Sequence, residues 1–131
     1  MTTTLKATFT VDSWDEHPIQ EQDGTAKLTR AAVTKTYAGD IEGTSTTEWL
    51  MAYAPDDTAT FVGMERISGS FGDRSGSVVV QHVGTFADGA ATADLTVVAG
   101  SGTDDVAGAS GRGSFRADPA GSVELDVAVE D

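Results

Sequence analysis

Residues 61–86 read FVGMERISGSFGDRSGSVVVQHVGTF. Two runs, Phe61–Phe71 and Val78–Phe86, place apolar residues at alternate positions on either side of a turn signal at Gly72-Asp73-Arg74. Strict alternation is the period of a half-buried strand, because successive side chains leave opposite faces of the pleat. Taking Asp73 and Arg74 as a two-residue turn sets Phe61 against Phe86, Gly63 against Gly84, Ile67 against Val80 and Glu65 against His82. This register gathers the apolar side chains on one face, which is how register is specified. It also drops a carboxylate and an imidazole into that face.

The same punctuation recurs outward along the chain. Turn signals fall at Asp23-Gly24, Gly39-Asp40, Pro55-Asp56-Asp57, Asp88-Gly89, the Gly100–Gly111 stretch and Pro119-Ala120-Gly121. Gly supplies positive φ, Pro presets φ and Asp bonds its own backbone. Together with Gly72-Asp73-Arg74 they cut the chain into eight segments. Leu5, Ala7, Phe9 and Val11 alternate with polar residues at one end, and Val123, Leu125, Val127 and Val129 do so at the other. No segment sustains a helical apolar stripe, and Thr103–Ala109 has room for one helical turn. Eight strands joined by short turns remove their exposed edges by closing on themselves, and an even count makes the first and last strands antiparallel neighbours. The expected fold is therefore all-β: an eight-stranded, mostly antiparallel up-and-down barrel over residues 1–131, in a single domain.

The 131 residues carry 21 acids against 8 Lys and Arg, a net charge of −13. Such a surface repels phosphate backbones and anionic headgroups, arguing against nucleic-acid or membrane partners. The longest aliphatic run is Val78–Val80, and Met1–Lys6 lacks the blocks of a secretion signal, so a cytoplasmic protein is expected. Without Cys there are no disulfides, thiolate metal sites or Cys nucleophiles, and without Asn no glycosylation sequon. No G-x-S-x-G, Walker, G-x-G-x-x-G or H-E-x-x-H pattern occurs, and Gly108, Gly111 and Gly113 read as loop glycines.

Glu65 and His82 are the leading site candidates, as an acid/base pair or as the polar end of a binding site. Burial raises a Glu pKa, while His82 titrates upward if the carboxylate dominates and downward if burial does. Glu48 joins them if its strand turns that parity inward; the opposite parity buries Trp49, Met51 and Tyr53, and the sequence leaves both open. With Glu48 inward, those three would form an outer apolar patch fit for a homodimer or homotrimer. Arg30 and Arg66 are candidate forks for a ligand carboxylate, although pairing with a neighbouring acid is the commoner fate. Trp14-Asp15-Glu16-His17-Pro18 holds metal-compatible side chains, but three consecutive residues of an extended segment cannot face one point. No metal and no cofactor is therefore expected, with Trp14 packing over one barrel end.

Leu28-Thr29-Arg30, Gly39-Asp40-Ile41-Glu42-Gly43, Gly63-Met64-Glu65-Arg66, Gln81-His82-Val83-Gly84-Thr85-Phe86 and Gly100-Ser101-Gly102-Thr103 together resemble the bacterial family catalogued as domain of unknown function 3224, DUF3224. The likeness runs from about Leu5 to Val127, with a departure at Asp104-Asp105-Val106, where a more Gly-rich turn is expected. It implies a small antiparallel barrel similar to plant allene oxide cyclases, and assigns no catalytic residue. Two functions follow as expectations. One is a binding module whose interior takes a small, largely apolar molecule, with Glu65, His82, Glu48, Arg30 and Trp14 as its contacts. The alternative is a cofactor-free isomerase or cyclase acting on a small lipophilic substrate.

Overall fold

In the computed structural model, which describes residues 2–20, 27–118 and 120–129, eight strands follow one another around a closed barrel. They are β1 (Thr2–Gln20), β2 (Lys27–Gly39), β3 (Ile41–Tyr53), β4 (Ala59–Phe71), β5 (Arg74–Ala87), β6 (Ala90–Val97), β7 (Ala109–Ala117) and β8 (Gly121–Val129). Every neighbouring pair is antiparallel, and β1 closes on β8 from Thr2↔Ala128 to Phe9↔Gly121. The one helical element among the described residues is a 3-10 turn at Asp104–Val106. It lies in the predicted Thr103–Ala109 stretch, at the departure from the family pattern. The Asp23-Gly24 turn and Pro119 lie outside the described residues.

The β4–β5 register differs from the sequence expectation by two residues. Phe71 pairs with Arg74, so the loop is Gly72-Asp73, with Gly72 at φ 66°. Two-residue hairpin loops favour positive φ at their first position, which glycine adopts freely. Glu65 consequently opposes Val80, and His82 opposes Gly63. A two-residue displacement equals one pleat period, so both side chains keep the face assigned to them. Asp88 and Gly89 both have positive φ, 55° and 78°, as a mirror-image hairpin turn requires.

The parity left open in β3 resolves with Ser45, Thr47, Trp49 and Met51 buried. Glu48 and Leu50 face out. The expected outer patch of Trp49, Met51 and Tyr53 does not form, because the barrel interior is where these large apolar surfaces leave water. Val11, read as core, is half exposed, and β1 shifts register immediately after it, between Val11 and Ser13. A bulge of one residue flips the faces. Odd positions point inward before it (Leu5, Ala7, Phe9), and afterwards Trp14 and Glu16 share the inner side.

The interior core includes Phe9, Val33, Ile41, Trp49, Phe61, Ile67, Phe71, Val80, Leu95, Phe115 and Leu125. One end is sealed by the segment after β6. Ser77 and Val79 donate backbone N–H groups to the hydroxyls of Thr103 and Ser101, both at 3.0 Å, and Val106 turns into the core. Gly76 permits this contact, since a Cβ there would collide with the Thr103 carbonyl. No helix among the described residues is long and apolar enough to cross a membrane.

Candidate functional site

Midway through the barrel the apolar interior is interrupted by Lys35, Glu65 and His82, all 0–1% exposed. Inward parity on three strands delivers them: β2 supplies Lys35 and Tyr37, β4 supplies Glu65, and β5 supplies His82. The Glu65 carboxylate accepts from Tyr37 Oη at 2.6 Å, Ser45 Oγ at 2.5 Å, His82 Nε2 at 2.8 Å and Lys35 Nζ at 3.4 Å. On its far side, His82 Nδ1 accepts the Trp49 indole N–H at 3.1 Å. Gly63, opposite His82, makes room for this contact, because a Cβ there would collide with the Trp49 ring.

These contacts fix the protonation states. An indole N–H only donates, so Nδ1 of His82 must be bare, and the imidazole proton sits on Nε2, aimed at Glu65. Burial holds His82 below its ordinary pKa despite the neighbouring carboxylate, so it is neutral. Of the two directions open from sequence, burial prevails. For Glu65 burial pushes upward, but the His82 hydrogen bond and the Lys35 charge outweigh it and hold the group at about 2, ionised. Burial lowers Lys35, with Glu65 opposing. Burial and the Glu65 charge push the Tyr37 hydroxyl far up, so it stays a donor.

Aromatic rings enclose the cluster. Lys35 Nζ lies 4.6, 5.0 and 5.2 Å from the ring centres of Phe9, Trp49 and Phe115. A cation over ring faces is attracted by their quadrupoles, more strongly where water is excluded. Phe61 and Phe115 stack at 6.2 Å, and Trp49 lies 5.3 Å from Phe61. Thr47, on β3 opposite Glu65, is fully buried, and its hydroxyl has no hydrogen-bond partner among the described residues.

The end away from Val106 is polar at its rim. Trp14, 46% exposed, packs on Trp49 at 5.4 Å. Its indole N–H donates to Glu16 at 2.9 Å, and Glu16 also accepts from Thr29 at 2.7 Å and Tyr53 at 2.6 Å. Burial pushes Glu16 upward, but these hydrogen bonds win and lower it. Tyr53 is pushed up to about 12 by burial and by Glu16. A recess of about 480 Å³ opens here between Glu16, Thr29, Lys27, Tyr53 and Asp57. Asp15 and His17 pair with each other at 2.9 Å, well exposed, while Glu16 bonds to Thr29 and Tyr53, as alternation requires of consecutive side chains.

Of the residues singled out from sequence, Glu65 and His82 meet inside, and Trp14 reaches them through Trp49. Arg30 and Glu48 do not. Both stand on the outer wall, paired to each other, and Arg66 is also exposed. Arg30 occupies an even position on a strand whose inward side chains are odd, so it could never have joined the interior. The interior cation is Lys35, which the sequence reading missed, along with Tyr37, Ser45 and Trp49 as partners of the pair. The signal was present: Ala31, Val33 and Tyr37 set the parity, and Lys35 falls in phase with them.

The family profile described as protein of unknown function (DUF3224) matches residues 5–128, and the chain belongs to this family. The barrel is similar to the crystal structure of a DUF3224 protein of unknown function from Shewanella oneidensis MR-1, with 26% identity, all of both chains covered and a TM-score of 0.80. No curated protein matches the chain.

Proposed function

We propose that the barrel is a binding module for a small, largely apolar molecule that enters past Trp14 and turns its polar end toward Lys35, Glu65 and His82. The buried ionic cluster carries this reading. Charges taken out of water cost several kcal/mol each, and well-packed apolar residues in their place are often neutral or stabilising. A barrel filled only for its own stability has no need of Lys35, Glu65 and His82 at its centre. Perturbed ionisable groups gather where ligands are handled. The unpaired Thr47 hydroxyl beside Glu65 and the rings of Trp49, Phe61 and Phe115 suit a ligand with one polar group on an apolar body. Entry requires Trp14 and Trp49 to swing aside, since Lys35, Glu65 and His82 are buried behind them.

The test is extraction of protein purified from cells, with mass spectrometry of whatever is released, joined to titration with a neutral naphthylamine probe read by tryptophan emission. A stoichiometric apolar compound, or probe binding lost in a Trp49→Ala variant that still folds, supports the reading. An empty extract together with unmoved emission overturns it.

A cofactor-free isomerase or cyclase is the second reading, favoured by the 2.8 Å carboxylate–imidazole contact and by the allene-oxide-cyclase-like barrel that the family resemblance implies. The His82 tautomer sets it behind binding. The bare lone pair that would take a substrate proton is occupied by Trp49, so His82 acts as a base only after that hydrogen bond breaks.

A further inference from the structure

The strong acceptors of the buried cluster are spent. Each oxygen of Glu65 already accepts two hydrogen bonds, Oε1 from His82 and Lys35, Oε2 from Tyr37 and Ser45. Nδ1 of His82 is taken by the Trp49 indole. Hydrogens, by contrast, are left over. An ammonium has three to give. Among the described residues Lys35 makes one hydrogen bond, the 3.4 Å contact with Glu65, although it is 0% exposed. Rings of Phe9, Trp49 and Phe115 stand around the rest of it. The Thr47 hydroxyl is the second unspent donor, equally buried. Both side chains point inward, and Thr47 lies one pleat along β3 from Ser45, the residue opposite Lys35. Buried donors without acceptors are rarer in folded proteins than lone pairs without donors, and an incompletely bonded charge costs more than a neutral group.

We infer that the polar end of the ligand is a neutral carbonyl group, as in an apolar ketone, whose oxygen accepts from Lys35 and Thr47 together. The inference rests on the binding-module reading and specifies its ligand class. A carbonyl oxygen offers two lone pairs and no hydrogen, the complement of two unspent donors. Charge argues against a carboxylate. Lys35 and Glu65 balance one another and His82 is neutral, so a carboxylate would add an uncompensated anion out of water. An alcohol carries a further hydrogen into a cluster whose strong acceptors are full. A hydrocarbon leaves both donors as they are. Glu65 then acts on the ligand through Lys35, holding the ammonium charged and in place, and the rings of Trp49, Phe61 and Phe115 take the apolar body.

Equilibrium dialysis of the full chain at neutral pH against naphthalenes of nearly one size tests this. The probes are methyl naphthyl ketone, isopropenylnaphthalene (a methylene in place of the oxygen), naphthylethanol and naphthoate. The ketone should bind at least about tenfold more tightly than isopropenylnaphthalene, the value of one hydrogen bond to a charged group. That order runs against simple partitioning, because the hydrocarbon gains more by leaving water. The alcohol and naphthoate should both bind more weakly than the ketone. Lys35→Met should erase the ketone's advantage. Thr47→Val keeps the side chain's shape, removes a hydroxyl that has no partner in the fold, and should shrink the advantage several-fold, so it carries the test if Lys35→Met does not fold. Ketone and hydrocarbon binding alike would overturn the carbonyl assignment and leave the binding module standing, as would naphthoate or the alcohol binding tightest. A ketone preference untouched by Thr47→Val, and by Lys35→Met where that variant folds, would also overturn it. Failure of all the probes to bind would overturn the binding module and the assignment with it.

Discussion

Two cation–carboxylate pairs share strand β2 and teach opposite lessons about distance. Arg30 and Glu48, on the outer wall, approach to 2.5 Å, with side chains 62% and 47% exposed. Lys35 and Glu65, inside, are 3.4 Å apart and 0% and 1% exposed. The shorter pair has the weaker claim on the fold. In water its Coulomb attraction is screened and each side chain is already well solvated. The longer pair has no water to fall back on, so each partner answers for the desolvation of the other. Solvent, rather than separation, ranks the two.

The sharpest way to break this ranking is to remove the inner carboxylate. Glu65→Leu strands Lys35 among Phe9, Trp49 and Phe115, and leaves Tyr37, Ser45 and His82 without their acceptor. It should cost about 3–5 kcal/mol in urea unfolding, as does removing one partner of a buried pair. Adding Lys35→Met should recover part of that loss, because the stranded charge goes with it. Strictly additive losses would show the two groups to be uncoupled. Tyr37→Phe deletes one donor to an ionised group and should cost about 1.5–3 kcal/mol.

Acid sharpens the comparison further. His82 titrates below its ordinary value in the fold, so the folded state resists a proton that the unfolded chain accepts. Its contribution to stability is whole above the unfolded value of about 6.5 and is lost as pH falls through the folded value, by at most about 1.4 kcal/mol per pH unit. Glu65, at about 2 in the fold, contributes above the ordinary carboxylate range and loses that contribution only as pH falls toward 2. Urea midpoints should therefore begin to fall from about pH 6.5, and His82→Gln should flatten that first limb. A wild-type midpoint level from pH 7 to the carboxylate range would contradict a buried neutral imidazole.

The two pairs also show how far residues alone carry the reading. Alternation and turn chemistry yield the strand number and the closed barrel, because both are local properties that the closed sheet only has to accommodate. The shared face of Glu65 and His82 survives an error of two residues in register, since faces repeat with that period. What fails is what depends on non-local packing. The β3 parity is ambiguous, because Glu48, Leu50 and Ala52 compete with Trp49, Met51 and Tyr53, and only volume inside the barrel decides between them. The bulge after Val11 leaves no local mark strong enough to predict the flip that turns Trp14 and Glu16 inward. Lys35 goes unnoticed for another reason. A lysine in phase with core residues looks like an error until the carboxylate opposing it comes from another strand.

The smallest effect completes the ranking. Arg30→Ala and Glu48→Ala, measured by chemical unfolding, should each change stability by less than about 1 kcal/mol, and their double-mutant coupling should shrink as salt rises. A coupling of several kcal/mol between Arg30 and Glu48 in dilute, salty buffer would mean that the outer wall is not solvated as its exposure implies, and the ranking of the two pairs would fall.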